Sequence, residues 1–188
     1  MSSSSTNSRY QIDFDGKVVL VTGIRGGLGG AIASAFADCG ATLVGIDRDA
    51  AKDDVFPTFA ANVSNSREVS AAFAEIESRY GSPDILINNA GVREIKTIMD
   101  LEPDEWDRVI GINLNGVYYC AREAALRMRA KGSGNIINTA SVAGTLGITH
   151  RPAYVATKHA VIGLTRNLAL DLAQYKIGSA QEKEIYVR

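Results

Sequence analysis

The sequence predicts an α/β fold, a doubly wound parallel sheet with helices on both faces. Three observations lead there. Strand-like apolar runs alternate with longer helical patterns from Lys17 to Tyr175, the order that builds parallel sheets covered by helices. The runs Val18 to Val21 and Leu43 to Ile46 are continuously apolar, as strands buried on both faces require. Between them lies a turn punctuated by Gly23, Gly27 and Gly29, and the second run stops at an acid, Asp47.

Taken in order, the first strand spans about Lys17 to Thr22 and the first helix about Gly27 to Cys39, with Gly40 as its terminator. A second strand runs from about Thr42 to Ile46. Arg48 to Val55 reads as polar loop, and a short third strand falls near Thr58 to Ala61. Asn65 to Arg79 places Val69, Ala72, Phe73 and Ile76 on one helical face, and Gly81-Ser82-Pro83 ends it. Asp84 to Ile87 begins a fourth strand that runs into Asn88-Asn89-Ala90-Gly91. After a loop, Glu102 to Arg129 forms a long helix whose stripe includes Trp106, Val109, Ile110, Asn113 and Val117. Asn135 to Thr139 is a fifth strand leading to Ser141. A last long helix covers about Pro152 to Tyr175.

Composition bounds the function. With 188 residues and 46% hydrophobic content, the chain can bury one sizeable core. A net charge of -1 gives no electrostatic reason to expect nucleic acid or an anionic membrane as partner. No apolar run approaches the roughly 20 residues of a spanning helix. The Ser-rich start lacks an apolar signal core, so a cytoplasmic setting is expected, with residues 1–14 as a disordered tail. Cys39 and Cys120 stand alone in helical patterns and read as buried thiols. With His150 and His159 they make no zinc spacing, and no metal site is expected.

Strand, glycine turn, helix, strand, acid is a nucleotide-binding layout. Glycines let backbone approach a pyrophosphate, and the helix start offers free N–H groups and a positive dipole end. An acid ending the second strand can accept hydrogen bonds from ribose hydroxyls. Farther on, Tyr154 and Lys158 are four apart on a helix and project from one face. A nearby ammonium favours a phenolate, making the tyrosine a credible acid or base for an alcohol/carbonyl pair. Each feature has a plainer alternative: a tight connection that binds nothing, a surface tyrosine and lysine, a strand-end cap for Ser141, a packing amide for Asn113.

The set as a whole resembles the short-chain dehydrogenase/reductase family. Thr22-Gly23-x-x-x-Gly27-x-Gly29, Asn88-Asn89-Ala90-Gly91, Asn113, Ser141 and Tyr154-x-x-x-Lys158 occur in the family's order, and the likeness extends from about Lys17 to Ile177. It implies a Rossmann-like domain over residues 15–177 that binds NAD(P) and transfers hydride between nicotinamide and a secondary alcohol or ketone. The resemblance assigns Tyr154 to the proton of the substrate oxygen and Ser141 to a hydrogen bond with that oxygen. Lys158 would lower the Tyr154 pKa and hold the nicotinamide ribose, and Asn113 would support a water in a proton relay. Gly23, Arg25, Gly27, Leu28, Gly29, Asp47, Arg48, Asn62, Val63, Asn89, Ala90 and Gly91, with Tyr154 and Lys158, would contact the cofactor. Asp47 favours NAD over NADP because a carboxylate repels a 2′-phosphate. Arg25 and Arg48 stand against that, since either could face a phosphate. Gly26 sits where NADP-preferring members often carry a base. The small-molecule substrate is left open; the loops Val92 to Met99 and Val142 to His150 would line part of its pocket. The two long helices would build a homodimer or homotetramer.

The resemblance stops after Ile177. Family members continue with two more strands and a loop over the substrate. Residues 178–188 read as an atypical polar tail, with at most a short strand at Glu184 to Arg188. The sheet is therefore expected to lack the usual last two strands and to leave the fifth as an exposed edge. A short protein, a truncated or frameshifted product and an omitted segment all fit. The alternative function is a non-catalytic module that binds dinucleotide or dimerises.

Overall fold

The computed structural model describes residues 13–182. Six parallel strands form one sheet: β1 (Val18–Thr22), β2 (Thr42–Asp47), β3 (Thr58–Ala60), β4 (Ile85–Asn88), β5 (Gly134–Thr139) and β6 (Ile177–Glu182). Their order is β3-β2-β1-β4-β5-β6. The helices between them are α1 (Gly27–Ala37), α2 (Ser66–Tyr80), α3 (Pro103–Ile110), α4 (Gly116–Lys131) and α5 (Pro152–Leu172). The chain winds outward from β1 to β3, then crosses back and winds the other way from β4. A crevice opens where the two directions part, beyond the carboxyl ends of β1 and β4, and this is where ligands bind in open α/β sheets.

Alternation explains why the strands are apolar throughout. Leu20, Val44 and Leu86 join Phe73 and Ile76 of α2 and Cys120, Ala124 and Met128 of α4 in one buried cluster. Their neighbours Val19, Val21, Leu43, Ile85 and Ile87 join Ala33 of α1 in the cluster on the other side. Successive side chains point to opposite faces, and both faces are covered. The expected doubly wound fold is observed. Cys120 is fully buried, and burial pushes its thiol up to about 12. Cys39 is only half-buried.

Local signals end the helices where expected. Asn65 caps α2 by accepting from the Arg67 and Glu68 amides at 3.0 and 3.4 Å, as N-cap amides do. Gly132, at a φ of 78°, stops α4 in the left-handed conformation that suits glycine. The long helix expected from Glu102 differs from a regular α-helix at one point. It starts at Pro103 and continues to Lys131, but between α3 and α4 the turn Gly111–Asn115 widens to a π-turn. Such turns are often found at functional sites, and Asn113 is at its centre.

One expectation is overturned. The sheet does not end at β5, because Ile177–Glu182 pairs with it in parallel, from Gly134 opposite Ile177 to Thr139 opposite Glu182. The ladder is made of backbone groups, so a polar sequence can supply it, and an edge left open is the less stable arrangement. Lys176 reverses the chain with a φ of 59°, and Ile177 enters the core beside Leu168 and Leu172. Gly178 follows, close against the Asn135 side chain, whose Oδ1 would lie 2.4 Å from a Cβ there and would have to turn away from one. One of the two strands missing from the sequence reading is thus present, and Ile136 is fully buried. The Ser-rich segment up to residue 12 and the short strand suggested at Glu184 to Arg188 lie outside the described residues.

Candidate active site

Both glycine-containing motifs meet at the crevice. Thr22, the last residue of β1, accepts through Oγ1 from the amides of Asn89 and Ala90, each at 3.0 Å. The Asn89 side chain donates back to the carbonyls of Thr22 and Gly23 at 3.1 and 3.2 Å. The end of β4 is thereby fastened to the start of the glycine turn. Gly23 has a φ of 68° and leaves no room for a side chain, since a Cβ would sit 2.9 Å from Ala90 Cα. Gly29 packs more tightly still, its hypothetical Cβ 2.1 Å from the Gly23 carbonyl oxygen. A Cβ on Gly27 would meet nothing within 4 Å. No side chain caps α1 and its first turn holds no acid, so its amides and positive end remain available to an anion.

This turn forms one wall of a cleft of about 760 Å³. Gly23, Arg25, Gly27, Leu28, Gly29, Asp47, Arg48, Asn62, Val63, Asn89, Ala90 and Gly91, expected from sequence to contact a cofactor, all line it. A bare glycine wall at a helix start, with a carboxylate at the far end, fits a dinucleotide. Asp47 Oδ2 accepts from the Arg25 amide at 3.1 Å. The Arg25 guanidinium turns to Asp54, 2.9 Å away, and to the Asp49 carbonyl. Arg48 pairs with Asp49 at 2.9 Å; that hydrogen bond holds the Asp49 carboxyl below the usual range and raises Arg48. Asn62 Oδ1 accepts from the amide and hydroxyl of Ser64 at 3.1 and 2.8 Å, so it shapes the cleft floor.

None of the four residues expected to carry chemistry, Tyr154 and Lys158 included, is among those that line that cleft; Asn113 reaches it through its hydrogen bonds to Val92. Asn113, Ser141, Tyr154 and Lys158 are 2%, 1%, 9% and 7% exposed, and this burial marks them off from the surface tyrosine and lysine of the plainer reading. Lys158 Nζ donates to the Thr139 carbonyl at 2.6 Å and lies 5.5 Å from the centre of the Tyr154 ring. Ser141, two residues beyond Thr139, accepts from the Ala143 amide at 3.2 Å and caps the tight turn Val142–Gly144. Gly144 lets that turn press onto α5, where a Cβ would come within 2.7 Å of the Lys158 carbonyl oxygen. Asn113 accepts from the Val92 amide at 2.8 Å and donates to the Val92 carbonyl at 2.7 Å. The cap at Ser141 and the packing amide at Asn113 are thus real, and they hold these side chains in place.

A buried polar chain braces the sheet behind them. Asn88 donates to Asn138 at 2.9 Å and Asn138 to Thr165 at 2.9 Å, linking β4, β5 and α5. Sequence reasoning overlooked Glu94. This side chain is 6% exposed, and its Oε1 accepts from the amides of Ala153 and Tyr154 at 2.8 and 3.1 Å. It caps α5 from a loop sixty residues away in the chain. The one signal in the sequence was negative: Arg151, before Pro152, offers no cap of its own. Of the loops expected to line a substrate pocket, Ile95, Ile98, Met99 and Leu146 are exposed, and the Lys96 amide ties the two loops together at the His150 carbonyl, 2.9 Å away.

Known proteins resemble this chain in sequence and fold. The chain is 43% identical over 172 residues to the 3beta-hydroxysteroid dehydrogenase of Mediterraneibacter gnavus, covering 85% of this chain and 62% of that protein. It is 37% identical over 171 residues to the D-beta-hydroxybutyrate dehydrogenase of Cupriavidus necator, covering 85% of this chain and 66% of that one. The chain thus spans a little under two thirds of the length of these relatives. Among solved structures, a gluconate 5-dehydrogenase from Burkholderia cenocepacia in complex with NADP and tartrate superposes with a TM-score of 0.87 at 34% identity, covering 92% of this chain and 72% of that one. A NAD+-bound xylitol dehydrogenase gives 0.84 at 31% identity, covering 89% and 69%. No helix among the described residues is long and apolar enough to cross a membrane. Residues 17–180 match the family described as short chain dehydrogenase, and the chain belongs to that family.

Proposed function

We propose that this protein interconverts a secondary alcohol and a ketone, with Tyr154 exchanging the proton of the substrate oxygen. The observation that carries the reading is the buried pair on α5: Lys158 Nζ is 5.5 Å from the Tyr154 ring centre and anchored on the Thr139 carbonyl. A bound nicotinamide supplies the hydride acceptor or donor. Tyr154 holds a proton in the ketone-reducing direction and takes one in the other. Lys158 favours the phenolate through its charge, and Ser141 orients the substrate oxygen by hydrogen bonding. The Asn113 side chain is held by Val92 and Thr157, and Asn113 would support the water of a proton relay.

NAD is the preferred dinucleotide in this reading. Asp47, at the end of β2 and on the cleft wall, suits ribose hydroxyls and repels a 2′-phosphate. The protein would assemble through α4 and α5, whose Tyr118, Ala121, Ala125, Leu126, Leu164 and Leu168 line a shallow apolar groove. A second reading, a module that binds dinucleotide without turnover, is favoured by the cleft, whose lining includes the glycine turn and Asp47 but not Ser141, Tyr154 or Lys158. The Tyr154→Phe variant decides between them. In the first reading it lowers turnover of a substrate found by screening secondary alcohols about a hundredfold or more while NADH still binds. Turnover at the wild-type level refutes the proton role, and NADH binding with no turnover of any alcohol or ketone selects the second reading.

A further inference from the structure

Two arginines border the far end of the cleft, and they differ in how they are held. Arg48 pairs with Asp49 on the surface, where the two side chains are 76% and 63% exposed. Such a pair opens readily in water. Arg25 is held differently. Its amide donates to Asp47 Oδ2, so its backbone lies against the carboxylate read as the ribose ligand. Its side chain nevertheless leads away, to the Asp49 carbonyl and to Asp54, whose side chain is only 11% exposed. Asp54 is in turn fixed, because its Oδ2 accepts from the Ala51 amide at 2.8 Å while Oδ1 takes the guanidinium.

We propose that Asp54 is a specificity residue: it withholds the Arg25 guanidinium from the 2′ position of the bound dinucleotide, so that discrimination against a 2′-phosphate rests on Asp54 as well as Asp47. This rests on the reading of the cleft as a dinucleotide site. An arginine rooted beside the ribose carboxylate is the group expected to clamp a 2′-phosphate. Here its charge is met by a carboxylate before any ligand arrives. A 2′-phosphate would have to break that pair and leave Asp54 without its partner, and a ribose hydroxyl would not. The segment from Asp49 to Asp54 therefore sets cofactor choice from outside the strand–turn–helix motif.

The test is calorimetric titration of the full chain with NADH and with NADPH at low and high salt. Asp54→Asn keeps an acceptor for the Ala51 amide and removes the charge that holds Arg25. The ratio of NADPH to NADH affinity is expected to rise about tenfold, with a smaller rise at high salt. Adding Arg25→Ala to that variant returns the ratio to the wild-type value. Arg25→Ala alone, in a chain where the guanidinium is already withheld, shifts the ratio less than about twofold, and it serves if the Asp54 variant does not fold. An unchanged ratio in Asp54→Asn overturns the inference while leaving the cleft a dinucleotide site, as does a severalfold fall in NADPH affinity with Arg25→Ala alone. A wild-type chain that binds neither nucleotide overturns the site reading and the inference with it.

Discussion

The two halves of the site are built on opposite principles. The half that lines the cleft is open and charged: Asp47, Arg48 and Asp49 meet solvent, and they are held by an ion pair and an Asx-type turn within a few residues and by Arg25 of the glycine turn. The other half, Asn113, Ser141, Tyr154 and Lys158, is buried, and distant segments brace it: the Val92 backbone holds Asn113, the Thr139 carbonyl holds Lys158, and the Glu94 carboxylate holds the amides at the start of α5. A cofactor has to enter and leave, and exposed pairs let it be exchanged at little cost. Proton transfer needs fixed distances, and buried hydrogen bonds that are expensive to break supply them. In the proposed function, binding and chemistry thus fall to physically different kinds of surroundings.

The sharpest attempt to break this contrast is Asn113→Ala. It strips the Val92 amide and carbonyl of their partner and leaves a void beside Thr157. A loss of about 3 kcal/mol is expected in urea unfolding, well above that of any substitution in the Arg48–Asp49 pair. An effect near zero would show that the chemistry half is no better braced than the cleft.

Glu94 comes next. Glu94→Ala orphans two amides at the start of α5 and should cost about 2 kcal/mol. Glu94→Gln retains an acceptor and should cost less than about 1 kcal/mol. Amide hydrogen exchange at Ala153 and Tyr154 then rises in the first variant and stays near native in the second. Equal losses would mean that the charge at the helix's positive end, rather than the hydrogen bonds, holds the turn.

The smallest effect tests the opposite end of the sheet, which belongs to neither half. Burial raises the Asp84 carboxyl, but hydrogen bonds from Lys131 and the Val18 amide and the charges of Lys131 and Lys17 outweigh it, and the net shift is downward. The folded protein then binds this proton more weakly than the unfolded chain. The stabilisation is present above the ordinary carboxylate range and is lost as pH falls through the lower, folded value. Asp84→Asn should cost about 1 kcal/mol at neutral pH, and the gap from the wild type should close in acid melts below about pH 4. A gap that stays constant with pH would assign the loss to packing.

Sequence reasoning reached the residues of both halves but little of what holds the second. Thr22, Gly23, Gly27 and Gly29 are legible because a tight strand-to-helix turn admits few residue types, and Tyr154 with Lys158 because helical spacing puts them on one face. The bracing was hidden, since it pairs side chains with backbone. Nothing in the letters near Tyr154 points to Glu94, and nothing near Lys158 points to the Thr139 carbonyl. Strand β6 was missed for a related reason. Gly178, Ser179 and Gln181 carry no apolar pattern, and what places them is the backbone ladder of β5 together with Ile177 in the core. Likewise the π-turn at Gly111–Asn115 leaves the hydrophobic stripe nearly intact and so is silent in a helical reading.

That turn makes the length of the chain, and not only its composition, part of the specification. Each residue advances an α-helix by about 100°. Removing one residue between 111 and 115 would let the segment wind as a regular helix from Pro103 to Lys131. The widened turn absorbs that extra residue, so α3 and α4 would keep nearly their present orientation and the change would fall on the turn itself. Val109, Cys120 and Ala124 would stay buried, while Asn113 would lose the placement from which it holds Val92 in the loop that carries Glu94. A one-residue deletion in this turn should therefore leave the core standing and cost the placement of Asn113 alone.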